Sequence, residues 1–178
     1  MVKVFREGQI PVKDMLAVEE FRIPMATPLR ERELEIDRMY NNRAAYFVKY
    51  GGKEVLATAR IISKKSSTDK LPIEFSRTVT GLEFPLCVTP PVCEIGGLKV
   101  ADNLSRSDRY DAITEVLFEC CHYVLEKKFL KIFASCQSDV LRFYQSKFSF
   151  ELISKIFYGN KEFFAISRDI GNFGTPWN

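Results

Sequence analysis

A mixed α+β fold is predicted from three features of the chain. Ala44 to Tyr50 and Glu54 to Ile62 are rich in β-branched and aromatic residues and flank Gly51-Gly52, the pattern of a tight hairpin. Tyr110, Ile113, Leu117, Cys120, Cys121 and Val124 recur at helical spacing. Beyond them the chain alternates strand, short helix and a closing pair of strands, an order that mixes the two element types within one unit. At 178 residues it fits a single domain, taken as 1–178, with enough chain to bury a substantial core.

The elements follow in order. Val2 to Phe5 suits a short strand, and Val12 to Phe21 places Val12, Met15, Leu16, Val18 and Phe21 on one helical face before Pro24 and Pro28 break the chain. The glycines of the hairpin are expected to supply positive φ angles. Ser63 to Asp69 is polar and Leu71 to Pro91 contains four prolines, so a long irregular connection is expected, with one short helix near Ile73 to Arg77. Val92 to Val100 reads as a strand interrupted by Gly96-Gly97, where a bulge or a close approach to the backbone is expected. The helix after it carries Asp108 and Asp111 near its start and Lys127-Lys128 at its end, complementing the helix dipole. Leu130 to Ser135 is a strand, Asp139 to Lys147 a short helix, and Phe148 to Ile153 with Glu162 to Ser167 a strand pair.

Composition narrows the function. Basic residues number 26 and acidic residues 23, intermixed along the chain, which argues against a nucleic-acid footprint. No apolar run is long enough to span a membrane, and a cytoplasmic protein is expected. The five cysteines, Cys87, Cys93, Cys120, Cys121 and Cys136, form no C-x-x-C pair and are expected to be reduced. His122 is the only histidine, so neither a metal site nor a Ser/His/Asp triad is expected. His122 itself reads as a partly buried helix residue.

Phe143-Tyr144-x-x-x-Phe148-x-Phe150, following a glycine-kinked strand, a helix and a strand, resembles the F-Y-x-x-x-G-F ending of GNAT acyltransferases, with Ser149 where that family usually has glycine. The resemblance implies an α/β/α sandwich around a largely antiparallel sheet whose fourth and fifth strands splay apart to admit an acyl thioester. Cys93 to Val100 would be the fourth strand and Lys131 to Cys136 the fifth. The family's glycine-containing pyrophosphate loop is missing, because Asn103 to Tyr110 contains no glycine. The acyl-homoserine-lactone synthases and the long-chain N-acyl amino acid synthases also lack it, and this chain is similar to them elsewhere. Glu35-Ile36-Asp37 with Tyr40 resembles their E-x-D-x-Y-D segment, then come the hairpin, Arg60, Leu71-Pro72-x-Glu74-Phe75, and Cys93-Glu94-Ile95, similar to x-E-x-S-R. The chain departs from the pattern at Asn41 and Asn42, which remove the second acidic residue, and at Gly96 and Gly97, which replace Ser-Arg. The family's early tryptophan is absent, Trp177 being the only one.

That resemblance implies an N-acyltransferase, autoinducer-synthase-like, moving a medium or long acyl group from acyl-CoA or acyl-acyl carrier protein to the amine of an amino acid or homoserine-lactone-like acceptor. An acetyl-CoA-dependent N-acetyltransferase and a non-catalytic thioester binder are the alternatives. Aminolysis of a thioester needs a base for the amine, stabilisation of an oxyanion and a proton for the departing thiolate. Glu94 is the candidate base; its alternative is an ion pair with Lys or Arg on a solvated strand face. Tyr144 is the candidate acid; its alternative is packing of helix against sheet. Backbone amides at Gly97, Leu98, Lys99 and Val100 are candidates to bind the thioester, with Arg106, Ser107 and Arg109 beside a phosphate at the helix start. Asp37, Arg60 and Phe75 would bind the acceptor by resemblance, Arg60 gripping a carboxylate or carbonyl. Asp37 and Arg60 could equally form an ion pair at the end of the hairpin.

Overall fold

The computed structural model describes residues 1–26, 30–84 and 88–170, without the side chains of Arg32, Glu33 and Ile36. Pro28, Cys87 and Trp177 lie outside the described residues. The elements are β1 (Val2–Phe5), α1 (Val12–Arg22), α2 (Arg30–Arg38), β2 (Ala44–Gly51), β3 (Glu54–Lys64), β4 (Arg77–Thr78), β5 (Val92–Val100), α3 (Arg106–Glu126), β6 (Lys131–Cys136), α4 (Ser138–Phe148), β7 (Glu151–Tyr158) and β8 (Lys161–Asp169), with 3-10 turns at Asn41–Arg43 and Pro72–Phe75. The mixed α+β class is as the sequence predicts.

The chain forms two compact units. Met1–Ile62 with Gly96–Glu126 make the first, and Ser63–Ile95 with Lys127–Asn178 the second. In the first, the strands lie in the order β1-β2-β3-β5, with β1–β2 and β2–β3 antiparallel. Its core is the run Ala44 to Val48, fully buried because β2 is covered on both faces, which is why the strand reads as a continuous apolar stretch rather than an alternation. Tyr123 of α3 packs edge-on against Phe47, with ring centroids 5.6 Å apart.

The hairpin forms where predicted but divides its glycines differently. Only Gly52 has a positive φ, +66°. At Gly51 the reason for glycine is space, since a Cβ would stand 2.7 Å from Leu56 Cδ1. β3 also runs on to Lys64, into the stretch expected to be a polar loop, because Ser63 and Lys64 are buried.

Helix α2 falls in a stretch for which no helix is predicted. Arg-Glu-Arg-Glu-Leu-Glu-Ile-Asp-Arg consists largely of strong helix formers, and Leu34 and Asp37, three residues apart, turn the same way into the protein. In α1 the predicted apolar face is met only in part, with Met15 and Phe21 partly buried. Val18 and Glu19 are buried, whereas Val12 is 77% exposed and Leu16 also faces outward, both lining an open recess of about 430 Å³ with Ile10 and Met15. Glu19 is tolerated inside because Arg38 of α2 grips its two oxygens at 2.8 and 2.7 Å. On α3 the buried stripe is Ala112, Val116, Leu117, Cys120, Cys121, Tyr123 and Val124; Tyr110 and His122 are exposed, the latter contrary to expectation.

In the second unit the strands lie in the order β5-β6-β8-β7-β4. β5 and β6 are parallel from Val92↔Lys131 to Ile95↔Ala134; the other described ladders, β6–β8, β8–β7 and β7–β4, are antiparallel. The expected helix near Ile73 to Arg77 is the 3-10 turn Pro72–Phe75, and the connection up to β5 contains β4. The first of the closing strands begins at Glu151, not Phe148. Helix α4 runs through Phe148, and Ser149 ends it in the left-handed conformation, φ +50° and ψ +36°. Cys93, Cys120, Cys121 and Cys136 are buried.

Candidate functional site

In the first unit, the two residues read as acceptor-binding meet. Asp37, at the C-terminal end of α2, pairs with Arg60 of β3, Oδ1 to Nη2 at 2.6 Å, and Arg60 Nη1 donates to the Asp37 carbonyl oxygen at 3.3 Å. Of the two readings open for this pair, the geometry is an ion pair, and a second arginine joins it. Arg22, the last residue of α1, donates from Nη1 to Asp37 Oδ2 and from Nη2 to Oδ1. Helix α1 delivers Arg22 because its C-terminal end faces the last turn of α2; a basic residue there also suits the helix dipole.

Aromatic groups close this cluster. Arg60 lies over the Tyr40 ring at 5.9 Å, and Tyr46, opposite Arg60 in the β2–β3 register, donates from its hydroxyl to Asn41 Oδ1 at 2.6 Å. Burial is the main reason the Tyr46 phenol is pushed above its ordinary pKa, with Asp37 reinforcing it and Arg60 and Arg22 opposing. Burial also pulls the Arg22 guanidinium below its ordinary value, helped by Arg60 and opposed by Asp37. Asn41, one of the departures from the resembling motif, thus acts as an acceptor for a tyrosine hydroxyl, a role an acidic side chain also fills.

Arg22 is the residue sequence reasoning missed. Its signal is visible only in hindsight: a basic residue at the end of a predicted helix, two positions before Pro24. Gly97 explains its placement. Gly97 has φ +62°, and a Cβ there would come within 2.7 Å of Arg22 Cζ and Nε. The glycine therefore serves both a left-handed backbone and the close approach of a guanidinium. Lys99, two residues on, donates from Nζ to the Arg22 carbonyl oxygen at 3.4 Å and lies 5.5 Å from the Phe21 ring. Gly97, Leu98, Lys99 and Val100 are half-buried, unlike the fully buried start of β5.

The N-terminus of α3 has the order of a self-capped turn. Ser105 Oγ accepts from the Asp108 amide at 3.2 Å and bonds Asp108 Oδ2 at 2.6 Å, with Ser107 Oγ 2.9 Å away. Arg109 donates to the carbonyls of Leu104, at 3.0 Å, and Asp102. Arg106 and Ser107 are exposed.

Glu94, Tyr144 and Phe75 belong to the second unit. Glu94 is only 3% exposed, so it does not sit on a solvated strand face; its Oε2 accepts the Ile73 amide at 2.8 Å. It thereby helps fix the turn Pro72–Phe75, along with Glu74, which accepts the Leu71 amide and pairs with the buried Lys64, both at 2.7 Å. Phe75 at the end of that turn is half-exposed, with Lys70 Nζ 5.3 Å from its ring. Tyr144 is buried among Phe143, Phe148 and Phe150, at centroid distances of 6.0, 6.5 and 5.4 Å. Among the described residues, no three His, Cys, Asp or Glu side chains are grouped to hold a metal ion, and no helix is long and apolar enough to cross a membrane.

Comparison of this architecture with known proteins supplies its class. No family model matches the sequence, and no curated protein matches it significantly. Solved structures do match. The N-acyl amino acid synthase FeeM from uncultured soil microbes superposes with a TM-score of 0.71 at 14% identity, over 97% of this chain and 90% of that one. TofI in its apo form gives 0.67 at 13% identity over 96% and 91%. Escherichia coli ElaA gives 0.63 at 18% identity over 95% and 99%. The fold is that of the GNAT-type N-acyltransferases.

Proposed function

We propose, with the GNAT fold as premise, that this chain is a single-domain N-acyltransferase of the cytoplasm. It transfers a medium or long acyl group from an acyl thioester, on coenzyme A or acyl carrier protein, to the amine of an amino acid or homoserine-lactone-like acceptor. The observation that carries this reading is the buried Arg22–Asp37–Arg60 cluster. Charged groups are rarely withdrawn from water unless paired, and three of them converging is a common mark of a site for a polar ligand. Asp37 and Arg60 are the residues that the resemblance assigns to the acceptor.

In the proposed reaction the acceptor amine attacks the thioester carbonyl carbon, forming the C–N bond. Glu94 takes the amine proton, directly or through water, and the tetrahedral oxyanion is held by backbone amides in Gly97 to Val100. The C–S bond then breaks, and Tyr144 supplies the proton that the thiolate receives. Arg106 and Ser107 would lie beside the phosphate of the donor, and Phe75 beside the acceptor. No nucleophilic side chain is needed, in keeping with the four buried thiols. The fifteen phenylalanines are compatible with a channel for a long acyl chain.

Mass spectrometry of lipid extracts from cells expressing the protein, beside cells expressing Glu94→Gln, tests this. A new acyl amide in the first and not the second is the expected result, and identifies chain and acceptor together. No new product in either, with acetylation of an amine by purified protein and acetyl-CoA, would replace it with the N-acetyltransferase reading.

A further inference from the structure

Two glutamates converge on one short turn. Pro72–Phe75 is a 3-10 turn, and the first backbone N–H groups of such a turn have no partner inside it. Position 72 is proline and has no N–H. The Leu71 amide before it goes to Glu74 Oε2 at 2.7 Å, and the Ile73 amide goes to Glu94 Oε2 at 2.8 Å. Leu71, Ile73 and Ser76 are fully buried, so water offers these groups no alternative.

The turn is held at both ends. Glu74 divides its carboxylate, Oε1 taking the ammonium of Lys64, the last residue of β3, at 2.7 Å and Oε2 the Leu71 amide. The Glu74 amide donates back to the Leu71 carbonyl at 3.0 Å. Beyond Ile73, Ser76 donates to the Ile73 carbonyl from Oγ at 2.7 Å and from its amide at 3.2 Å. The Ile73 N–H therefore projects from a fixed frame, and Glu94 is the group it meets.

Stability does not account for the Lys64–Glu74 pair. Its side chains are 5% and 12% exposed, and taking two charges out of water offsets most of what their attraction contributes. Apolar residues of the same size would fill the core as well. They would not fix the direction of the turn, which a carboxylate bonded on both oxygens does. The beneficiary is Glu94, because a carboxylate that accepts a fixed N–H has its orientation set and its ionised form favoured.

We infer that Lys64 and Glu74 are positioning residues for acyl transfer: through the turn they aim the Ile73 N–H at Glu94 and so hold the base in place and ionised. Neither touches the reacting atoms. This role rests on the reading of Glu94 as the base; the geometry around Ile73 does not.

The double variant Lys64→Met, Glu74→Gln tests it. Both charges leave together, so the net charge is unchanged and their opposite fields at Glu94 largely cancel. Methionine fills the space of the lysine stem, and glutamine keeps an oxygen for the Leu71 amide. With octanoyl-coenzyme A as donor and each standard amino acid in turn as acceptor, kcat is expected to fall roughly tenfold, the scale of a slightly displaced catalytic group. A smaller folded fraction would also lower kcat, so the deciding readout is the titration of Glu94. The acid limb of kcat/KM is expected to move up by about one pH unit, the equivalent of one charge-assisted hydrogen bond to the ionised form. The carbon-13 resonance of the Glu94 carboxyl, identified by its loss in Glu94→Gln, is expected to move with it. Should the double variant fail to fold, Ser76→Ala, which changes no charge and loosens the Ile73 carbonyl, must show the same upward shift. A folded variant whose Glu94 titrates as in the wild type would overturn the positioning role, whatever happens to kcat. An upward shift in a protein that acylates no amine would instead remove the reading of Glu94 as a base and, with it, the part of the pair in catalysis.

Discussion

The carboxylate of Glu94 accepts the backbone N–H of Ile73 at 2.8 Å, in a place where neither residue is open to water. Glu94 is therefore already employed in the fold, and the substitutions that test its chemistry must respect that. Glutamine keeps an oxygen for the Ile73 amide but is not a base. Glu94→Gln is expected to cost about 1 kcal/mol of stability and to lower kcat/KM by about 10² to 10⁴. Alanine leaves the Ile73 amide buried without its acceptor, at about 1–3 kcal/mol, so loss of activity in Glu94→Ala alone decides nothing. Thermal unfolding and steady-state kinetics on both variants separate the roles. Unchanged kcat/KM in Glu94→Gln would leave Glu94 a purely structural residue.

Tyr144 poses the same question with the opposite balance. Its ring is one of four in an aromatic cluster, so the packing is retained by phenylalanine and lost with alanine. Tyr144→Phe is expected to unfold near the wild-type temperature and to lower kcat about 10²-fold, as removal of a general acid does. Tyr144→Ala is expected to lose about 3–5 kcal/mol, the range for deleting a large core ring. A Tyr144→Phe enzyme with full kcat would confine Tyr144 to packing.

How far the sequence reaches is clearest at these residues. The hairpin, β5, α3 and α4 were legible because each carries a strong local period or a glycine turn. Helix α2 was not, since its polar surface masks the two inward residues, Leu34 and Asp37, that give it a face. The apolar face of α1 was read only in part: Val18 is buried as expected, but Val12 and Leu16 face outward and Glu19, gripped by Arg38, lies inside. Asp37 and Arg60 could be paired on paper, by resemblance. Arg22 could not, because its place depends on where α1 ends relative to Gly97, a relation between segments about 75 residues apart that no local pattern encodes.

Ser149 occupies a position whose backbone is left-handed, φ +50°, and its amide donates to the Tyr144 carbonyl as α4 ends. This gives a physical reason for the glycine that the resembling motif has there: the conformation costs a residue with a Cβ about 1 kcal/mol. Ser149→Gly is expected to gain about 0.5–1 kcal/mol, part of the relief being offset by the greater freedom of glycine in the unfolded chain. In a chain of this size that is a rise of about 1–4 °C in Tm. Ser149→Val, adding a branched side chain to the same backbone, is expected to lower Tm. A fall in Tm for Ser149→Gly would show that the serine side chain contributes more than its backbone costs.

Alkaline pH should destabilise the protein through groups buried in their neutral forms. Burial first, and Asp139 second, push the Cys136 thiol up to about 11 from 9.0. Burial likewise raises the phenols of Tyr50 and Tyr123, with Asp14 and Glu7 as hydrogen-bonded partners adding to it. For each group the folded pKa lies above the unfolded one, so the unfolded chain releases its proton first and gains stability relative to the native state as pH rises. The contribution of Cys136 is complete below about pH 9 and is lost between 9 and 11. Denaturant unfolding at pH 8 and pH 10.5 is expected to show a lower midpoint at the higher pH. Absorbance at 295 nm is expected to show Tyr50 and Tyr123 ionising only as the protein unfolds. Alkylation of native protein by iodoacetamide at pH 8 should spare Cys136; rapid labelling there, without loss of structure, would mean that the thiol is neither as buried nor as weakly acidic as its surroundings dictate.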